Sequence, residues 1–434
     1  MPGADKQALD AIYKDVYEEG ISEGVNYKNP LKDILTTKSS PFRGAEVVKL
    51  AHTSGNVSPM FGGEDGATAD AGNQGYVRLF VDQKKLLARI RMTWEAMQDS
   101  TTSEGAFISA RKSEMQYLID DIGRRDEYAL NTDGRGVLAL VDESPSGVVI
   151  DVDAPGGFTN DSFGNRFISK GMYIAAINPN TGGMRTSIRR VDAVAAGGAN
   201  VTFDVATYTG WANNDYLVQA AASGTTDVLH TSYEHAWWGL MGLVDDNTYR
   251  ASYFGVTRAD VPLYSSYVTA STGAISVDLI QRVADIVNQK LNGEISLILA
   301  HHSTRRLVLQ LTDQDRRYTQ GNLMKPDPGT VAFKQGDIPF GDVPVRALRD
   351  FPLDVMMFLD TKQMGLTQYV SEPGKWVDED GSVLARVGSG TTFRDAFEAV
   401  YRVRKQYFLD SPATCARLDG ITGQSLVIQR AAGS

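Results

Sequence analysis

The sequence predicts an α+β chain, with extended flanks around a mixed α/β middle and a small β unit inserted into it. Three observations carry this reading. Residues 104–131 contain no Pro, and Ile108, Met115, Leu118, Ile119, Ile122, Ala129 and Leu130 fall on one helical stripe. Short alternating or wholly apolar runs recur on both sides of that stretch, as strands do. Residues 53–75 hold six glycines and only three large apolar side chains, Val57, Met60 and Phe61. Such a segment buries too little apolar surface to offset its own ordering entropy.

The elements are taken in chain order. Leu9, Ile12, Tyr13 and Val16 mark one face of a short helix over 5–19, and Asn29-Pro30 and Ser39-Ser40-Pro41 interrupt the stretch after it. Residues 1–44 therefore read as an arm with little core. Residues 45–50 and 76–82 are strand-like, so 45–82 forms an extended hairpin whose arms, at ~3.3 Å per residue, reach roughly 30 Å. Ala88, Ile90, Met92 and Trp94 alternate with Arg89, Arg91, Thr93 and Glu95 in a half-buried strand. Asp99-Ser100-Thr101-Thr102-Ser103 starts the long helix, capped by Ser103 or Thr102, and Asp133-Gly134-Arg135-Gly136 stops it. The region 83–164 is built on this helix, about 40 Å long at 1.5 Å per residue.

Residues 165–222 read as a separate β unit, with strands at 172–177, 184–194, 200–205 and 215–220 between Asn, Gly and Thr turns. Over 223–365 the pattern is mixed. Leu279, Ile280, Val283, Ile286, Val287 and Leu291 define a helix closed by Asn292-Gly293. A buried strand at 295–300 leads to a helix capped by Ser303 and carrying Leu307, Val308 and Leu311. A hairpin of 331–338 and 343–348 turns around Pro339-Phe340-Gly341-Asp342, and 355–359 is a core strand. Residues 366–434 return through strands at 393–409 and 415–421.

Composition narrows the function classes. Apolar residues make up 42% and charged residues 22% of the 434 positions, ordinary globular usage that excludes a disordered chain, a coiled coil or a collagen-like fibre. The formal net charge of −10 argues against strong sequence-independent binding to nucleic acid, which needs a basic footprint. Glycine occupies 42 positions, an excess that points to many turns. Cys415 is the single cysteine, so an internal disulfide framework and a Cys-rich zinc module are both excluded. No signal-peptide core and no apolar run near the ~18 residues of a membrane span is present, and a reduced, cytosol-type protein is expected.

Each cluster that could carry chemistry has a plainer reading. His301-His302 are adjacent, and neighbouring side chains point apart, so they read as a strand end and not as a metal pair. His235 beside Trp237-Trp238 reads as a packed surface histidine. The run beginning at Asp151 and Asp153 opens like a calcium loop, but Pro155 and Ser162 stand where ligands belong. Asp120-Asp121 and Asp245-Asp246 read as solvated helix faces. Neither a phosphate-binding glycine loop nor a Gly-x-Ser-x-Gly elbow occurs. Cys415 reads as a buried structural thiol. Arg402, Arg404 and Lys405, the densest basic stretch, read as a DNA-facing group, a solvated strand face or an intersubunit ion pair. The sequence thus nominates no catalytic, cofactor-binding or metal-ligating residue and no cofactor.

Three stretches resemble the tailed-phage major capsid proteins of the HK97 fold. The first is Thr93-Trp94-Glu95-Ala96-Met97-Gln98-Asp99-Ser100, leading into the long helix and ending at Leu130-Asn131-Thr132-Asp133-Gly134-Arg135-Gly136. The second runs from Gly239-Leu240 through Gly255-Val256-Thr257-Arg258 to Pro262 and Tyr264, then helix, Asn292-Gly293 and strand 295–300. The third is Phe340-Gly341-Asp342-Val343-Pro344-Val345, Phe351-Pro352 and 355–360. In that family the order corresponds to an N-terminal arm (1–44), an extended loop (45–82), a peripheral domain with its spine helix (83–164), an axial domain (223–365) and returning peripheral and axial strands (366–434). The β unit at 165–222 resembles the insertion domains of some capsid proteins.

The resemblance implies a non-enzymatic subunit that assembles with copies of itself, as hexamers and pentamers, into an icosahedral shell. It implies a scaffolding protein, a portal and a decoration protein as partners, enclosed double-stranded DNA bound without sequence specificity, and no membrane. The location would be the virion, assembled in the host cytoplasm. The chain begins almost at the arm, so a separate or previously removed scaffold is expected. Lys49 sits on the extended loop, but the asparagine and glutamate of the family's lysine cross-link match no positions here, and that chemistry is not carried over. Two other classes stay open: an encapsulin-like compartment shell and an α/β hydrolase with an accessory β domain.

Overall fold

The structure, a computed structural model, describes residues 31, 38–42, 44, 46–62, 64, 66, 69–93, 104–143, 145, 147–158, 163–185, 188–205, 210–222, 227–270, 272–316, 338–340, 343–362, 366–377, 385–389 and 392–423. The helix expected over 5–19, the helix-start signal at 99–103 and the hairpin strand at 331–337 lie outside them. The chain divides into two compact units. One comprises 1–30, 86–126 and 372–404, the other 31–85, 127–371 and 405–434.

The strands Lys84–Thr93 and Ala385–Ser389 both pair with the long strand Thr392–Leu409, of which 86–93, 385–389 and 392–404 belong to the first unit. Ala396, Ala399 and Val403 are its buried small residues, and Trp376 meets Tyr401 edge-on at 5.2 Å. Gly374 is required at that approach, because its φ is +138° and a Cβ would run into the Tyr401 ring. The alternation expected from Ala88 to Met92 is present, with Lys85, Leu87, Arg89 and Arg91 on the exposed side. The long helix expected from the sequence spans Glu104–Asn131 as one uninterrupted element, its residues to 126 in this unit and 127–131 in the other.

The second unit holds two large cores and a smaller cluster of Val137, Ala175, Ile177 and Val218. One lies inside a closed barrel whose strands follow the order Tyr216–Gln219, Val137–Val141, Val149–Asp153, Asn200–Phe203, Arg189–Val194 and Tyr173–Ile177. Leu138, Ile150, Ile174, Val201 and Leu217 fill it, with Trp211 edge-on to Phe203 at 5.7 Å. The β unit read at 165–222 is thus part of a larger barrel that also takes in 137–153. Tyr216–Gln219 closes it by pairing with Val137–Val141 on one side and Tyr173–Ile177 on the other. Two of the six staves lie before 165, on the segment after the spine helix.

The other core surrounds a six-stranded mixed sheet, in the order Tyr267–Thr269, Ala416–Leu418, Met356–Leu359, Leu297–His301, Val343–Leu348, Ile338–Phe340. The helices Val277–Leu291 and His302–Arg316 cover it through Ile280, Val283, Val287 and Val308. The first helix is closed as the sequence indicates. Ser276 accepts the Leu279 N–H at 3.1 Å, and Asn292 ends it in the left-handed region at φ 54°. Of the N-terminal arm, Leu31 is fully buried with its N–H on Glu127 at 3.3 Å, and Lys38–Pro41 runs parallel to Leu366–Trp376.

Candidate assembly surface

The extended hairpin consists of Glu46–Ser54 and Gly75–Asp82, paired antiparallel from Glu46–Asp82 out to Ser54–Gly75. Strand period two gives it two faces with opposite fates. Ala51, Leu79 and Val81 are buried on one face. The Phe80 N–H donates to the Phe254 carbonyl at 3.1 Å, and Lys49 donates to Asp410 while its ammonium sits 4.3 Å above the Phe408 ring. One side of the hairpin is therefore anchored to its own unit.

The other face is open. Val48 lies opposite Phe80, Leu50 opposite Arg78 and His52 opposite Tyr76, and Val48, Leu50, Tyr76 and Phe80 are all exposed. Beyond the strands Val57 and Met60 are exposed too, and Phe61 is fully so. Large apolar side chains concentrated on one outlying element mark an interaction surface. The sequence located the segment by its glycines; it could not show that the strand alternation keeps one apolar face free of the body.

Beneath the hairpin lies a cleft of about 920 Å³, between Lys49–Thr53 on one side and residues 258–265, Lys290, Phe408 and Asp410 on the other. Its back wall is organised by Arg258, which is fully buried and donates to the carbonyls of Asp245 at 2.7 Å, Tyr264 at 2.6 Å, Arg250 at 3.0 Å and Gly242. Desolvation lowers the pKa of that guanidinium, with Asp245 the chief opposing influence.

The residues weighed for chemistry are scattered. His301 is buried, with Nδ1 2.9 Å from Ser303 Oγ, and burial pushes its pKa down to about 3. His302 meets His301 edge to face, with ring centroids 5.8 Å apart at 79°. His235 is exposed. Asp151 is exposed on a barrel strand, and the Asp153 carboxyl is raised by burial and then by Asp142. Asp121 lies 3.5 Å from Arg124 on the spine helix.

Asp245 departs from the solvated helix face read for it: it is fully buried, 2.9 Å from Arg417. It comes just after the helical turn Leu240–Leu243, which is inserted against the end of the spine helix. Lys405 is likewise no solvated strand residue. It is buried, 3.1 Å from the Tyr407 hydroxyl and 4.4 Å above the Trp237 ring. Cys415 is buried, and desolvation pushes its thiol up to about 12. Among the described residues no group of three His, Cys, Asp or Glu side chains could hold a metal ion, and no helix is long and apolar enough to cross a membrane.

The described elements are thus an anchored hairpin with one exposed face, a long helix, a closed barrel and a mixed sheet. The structure matches a chain of the cyanophage A-1(L) capsid asymmetric unit with a TM-score of 0.56 at 10% identity, covering 97% of this chain and 99% of that one. Looser matches are the capsid of a native GTA particle (TM-score 0.46, 13% identity, 97% and 100% covered) and the holo-SrpI encapsulin complex from Synechococcus elongatus PCC 7942 (0.43, 10%, 98% and 99%). No family model and no curated protein sequence matches the chain. The shared fold rests on the first match: the chain is mixed α/β and has the fold of that capsid chain.

Proposed function

We propose that this chain is the major capsid protein of a tailed phage, a structural subunit that self-assembles into the icosahedral shell enclosing the genome. The observation that carries the reading is the open apolar face of the hairpin, formed by Val48, Leu50, Tyr76 and Phe80 with Val57, Met60 and Phe61 beyond. The fold shared with the cyanophage A-1(L) capsid chain supports it. Residues 45–82 act as the extended loop lying across a neighbour, 104–131 as the spine of a peripheral domain, and 223–365 as the core of the axial domain, completed by Ala416–Leu418. The barrel around 165–222 is the inserted domain, and the arm 1–44 crosses another copy.

Magnitudes favour a shell over a pair. Fully burying one exposed large apolar side chain contributes roughly 1.5–3 kcal/mol, so the four strand residues, each about half exposed, supply about 3–7 kcal/mol gross. Association costs about 4–15 kcal/mol, which leaves one such contact marginal. Many heterologous contacts closing on symmetry axes give a finite, stable assembly. The acidic balance suits a wall that encloses double-stranded DNA without gripping its sequence. A scaffolding protein, a portal and a decoration protein are the partners assigned, the virion is the location and the host cytoplasm the place of assembly.

Deleting residues 53–75 tests the assignment. The deletion variant is expected to stay folded by circular dichroism, because none of the segment's described residues is buried, and to yield no particles by light scattering or negative-stain microscopy. Normal particles from it would remove the loop from the assembly mechanism.

A further inference from the structure

The tip of the hairpin and the cleft under its root are complementary. At the tip, Val57, Met60 and Phe61 are exposed apolar side chains, and Glu64, three residues after Phe61, is exposed too. The cleft offers apolar Pro262, Leu263, Tyr264 and Phe408, with the ammonium groups of Lys49 and Lys290 at its edges. Lys49 is already paired with Asp410. Lys290 makes no ion pair among the described residues; its nearest aromatic partner is Tyr267, 6.0 Å from the ammonium.

The chain does not use this complementarity on itself, because Phe61 is fully exposed while the cleft below its own hairpin stands open. We propose that the hairpin tip of one copy, led by Met60 and Phe61 with Glu64 behind, inserts into the cleft beneath the hairpin root of a second copy. The inference rests on the shell reading and deepens it by naming the two surfaces that meet. The contact is heterologous, tip to root, so each copy keeps a free tip and a free cleft and the contact propagates until a symmetry axis closes it. It also locks the receiving hairpin, since Lys49–Thr53 form one wall of the cleft. A cleft of about 920 Å³ lies within the roughly 300–1,000 Å³ range of clefts that hold a compact ligand.

Two added cysteines test it, Gly62→Cys beside the tip side chains, where an added Cβ meets nothing within 4 Å, and Ala259→Cys at an exposed position on the cleft wall. Cys415 does not interfere, because it is buried. Shells assembled from an equal mixture and mildly oxidised are expected to give a disulfide-linked dimer on a denaturing gel, several-fold above either variant assembled alone. Shells of normal size with no mixed dimer above those controls would overturn the tip-to-cleft contact and leave the shell reading standing. Failure of the unsubstituted chain to form particles would overturn both. A charge exchange gives a second readout if either cysteine variant fails to fold. Glu64→Lys and Lys290→Glu are each expected to slow assembly at least tenfold, and the double variant to recover most of the rate. Equal slowing by the double variant would contradict the pairing.

Discussion

Arg417 is fully buried and its guanidinium is divided between two carboxylates, with Asp245 at 2.9 Å and Asp419 at 2.9 Å, while two further N–H groups reach the Met241 and Val244 carbonyls. Removing a partner from such a group leaves uncompensated buried charge, at a cost of about 3–5 kcal/mol. Arg417→Ala is expected to lower subunit stability by that amount in urea unfolding; a loss under 1 kcal/mol would show that water reaches the site.

Two buried groups give stability opposite pH slopes. His301 stays neutral in the folded chain, its Nδ1 accepting the Ser303 N–H at 3.3 Å, and burial, then Arg166 and His302, hold its pKa near 3 against an ordinary 6.5. Between those values the unfolded chain binds a proton that the folded chain refuses. This contribution is complete above pH ~6.5 and is lost on acidification, about 2 kcal/mol of it by pH 5. Asp419 has the reverse sign. Burial lifts its carboxyl to about 6 against the pull of Arg417, so its proton favours the folded state from about pH 4 to 6. Comparing the unfolding free energies of the native chain and His301→Asn isolates the histidine. Their difference should narrow by about 2 kcal/mol between pH 7 and pH 5, whereas a constant difference would mean that His301 titrates normally. None of this was legible in the sequence, where Asp245-Asp246 has the pattern of a solvated helix face. Pairing across 172 residues is set by tertiary folding, which local spacing does not encode.

Among elements, those with strong local periodicity were readable. The long helix runs over the expected 104–131, the helix at Val277–Leu291 starts at Ser276 and stops at Asn292, and both hairpin strands lie where the alternation places them. The barrel boundary was not readable. Val137–Val141 and Val149–Asp153 are adjacent strands whose further partners come from about 50 to 80 residues downstream, and periodicity shows that a strand exists but not what it pairs with. The junction of Leu240–Leu243 with the spine helix was marked only by its glycines. A Cβ at Gly239 would collide with the Ala129 and Thr132 carbonyls, and one at Gly242 would meet the Asp133 carbonyl at 2.6 Å. Gly239→Ala is therefore expected to cost about 1–3 kcal/mol or more. Gly197→Ala, with nothing within 4 Å of its Cβ, should stay within about 0.5 kcal/mol. Equal melting curves for the two variants would contradict the tight junction.

At the scale of the whole molecule, the composition had already pointed away from a nucleic-acid grip, and the segment with too few core residues had pointed to a partner. The structure adds that the hairpin is anchored on one face and apolar on the other, which turns a shortage of core into a surface with a direction. Under the proposed assembly this surface is covered by neighbouring copies. An electron micrograph of the purified, concentrated chain, with a scaffold supplied if needed, measures this directly. Closed shells of uniform diameter are the expected result. A population that stays monomeric at every concentration, with the hairpin apolar face still open, would contradict the account.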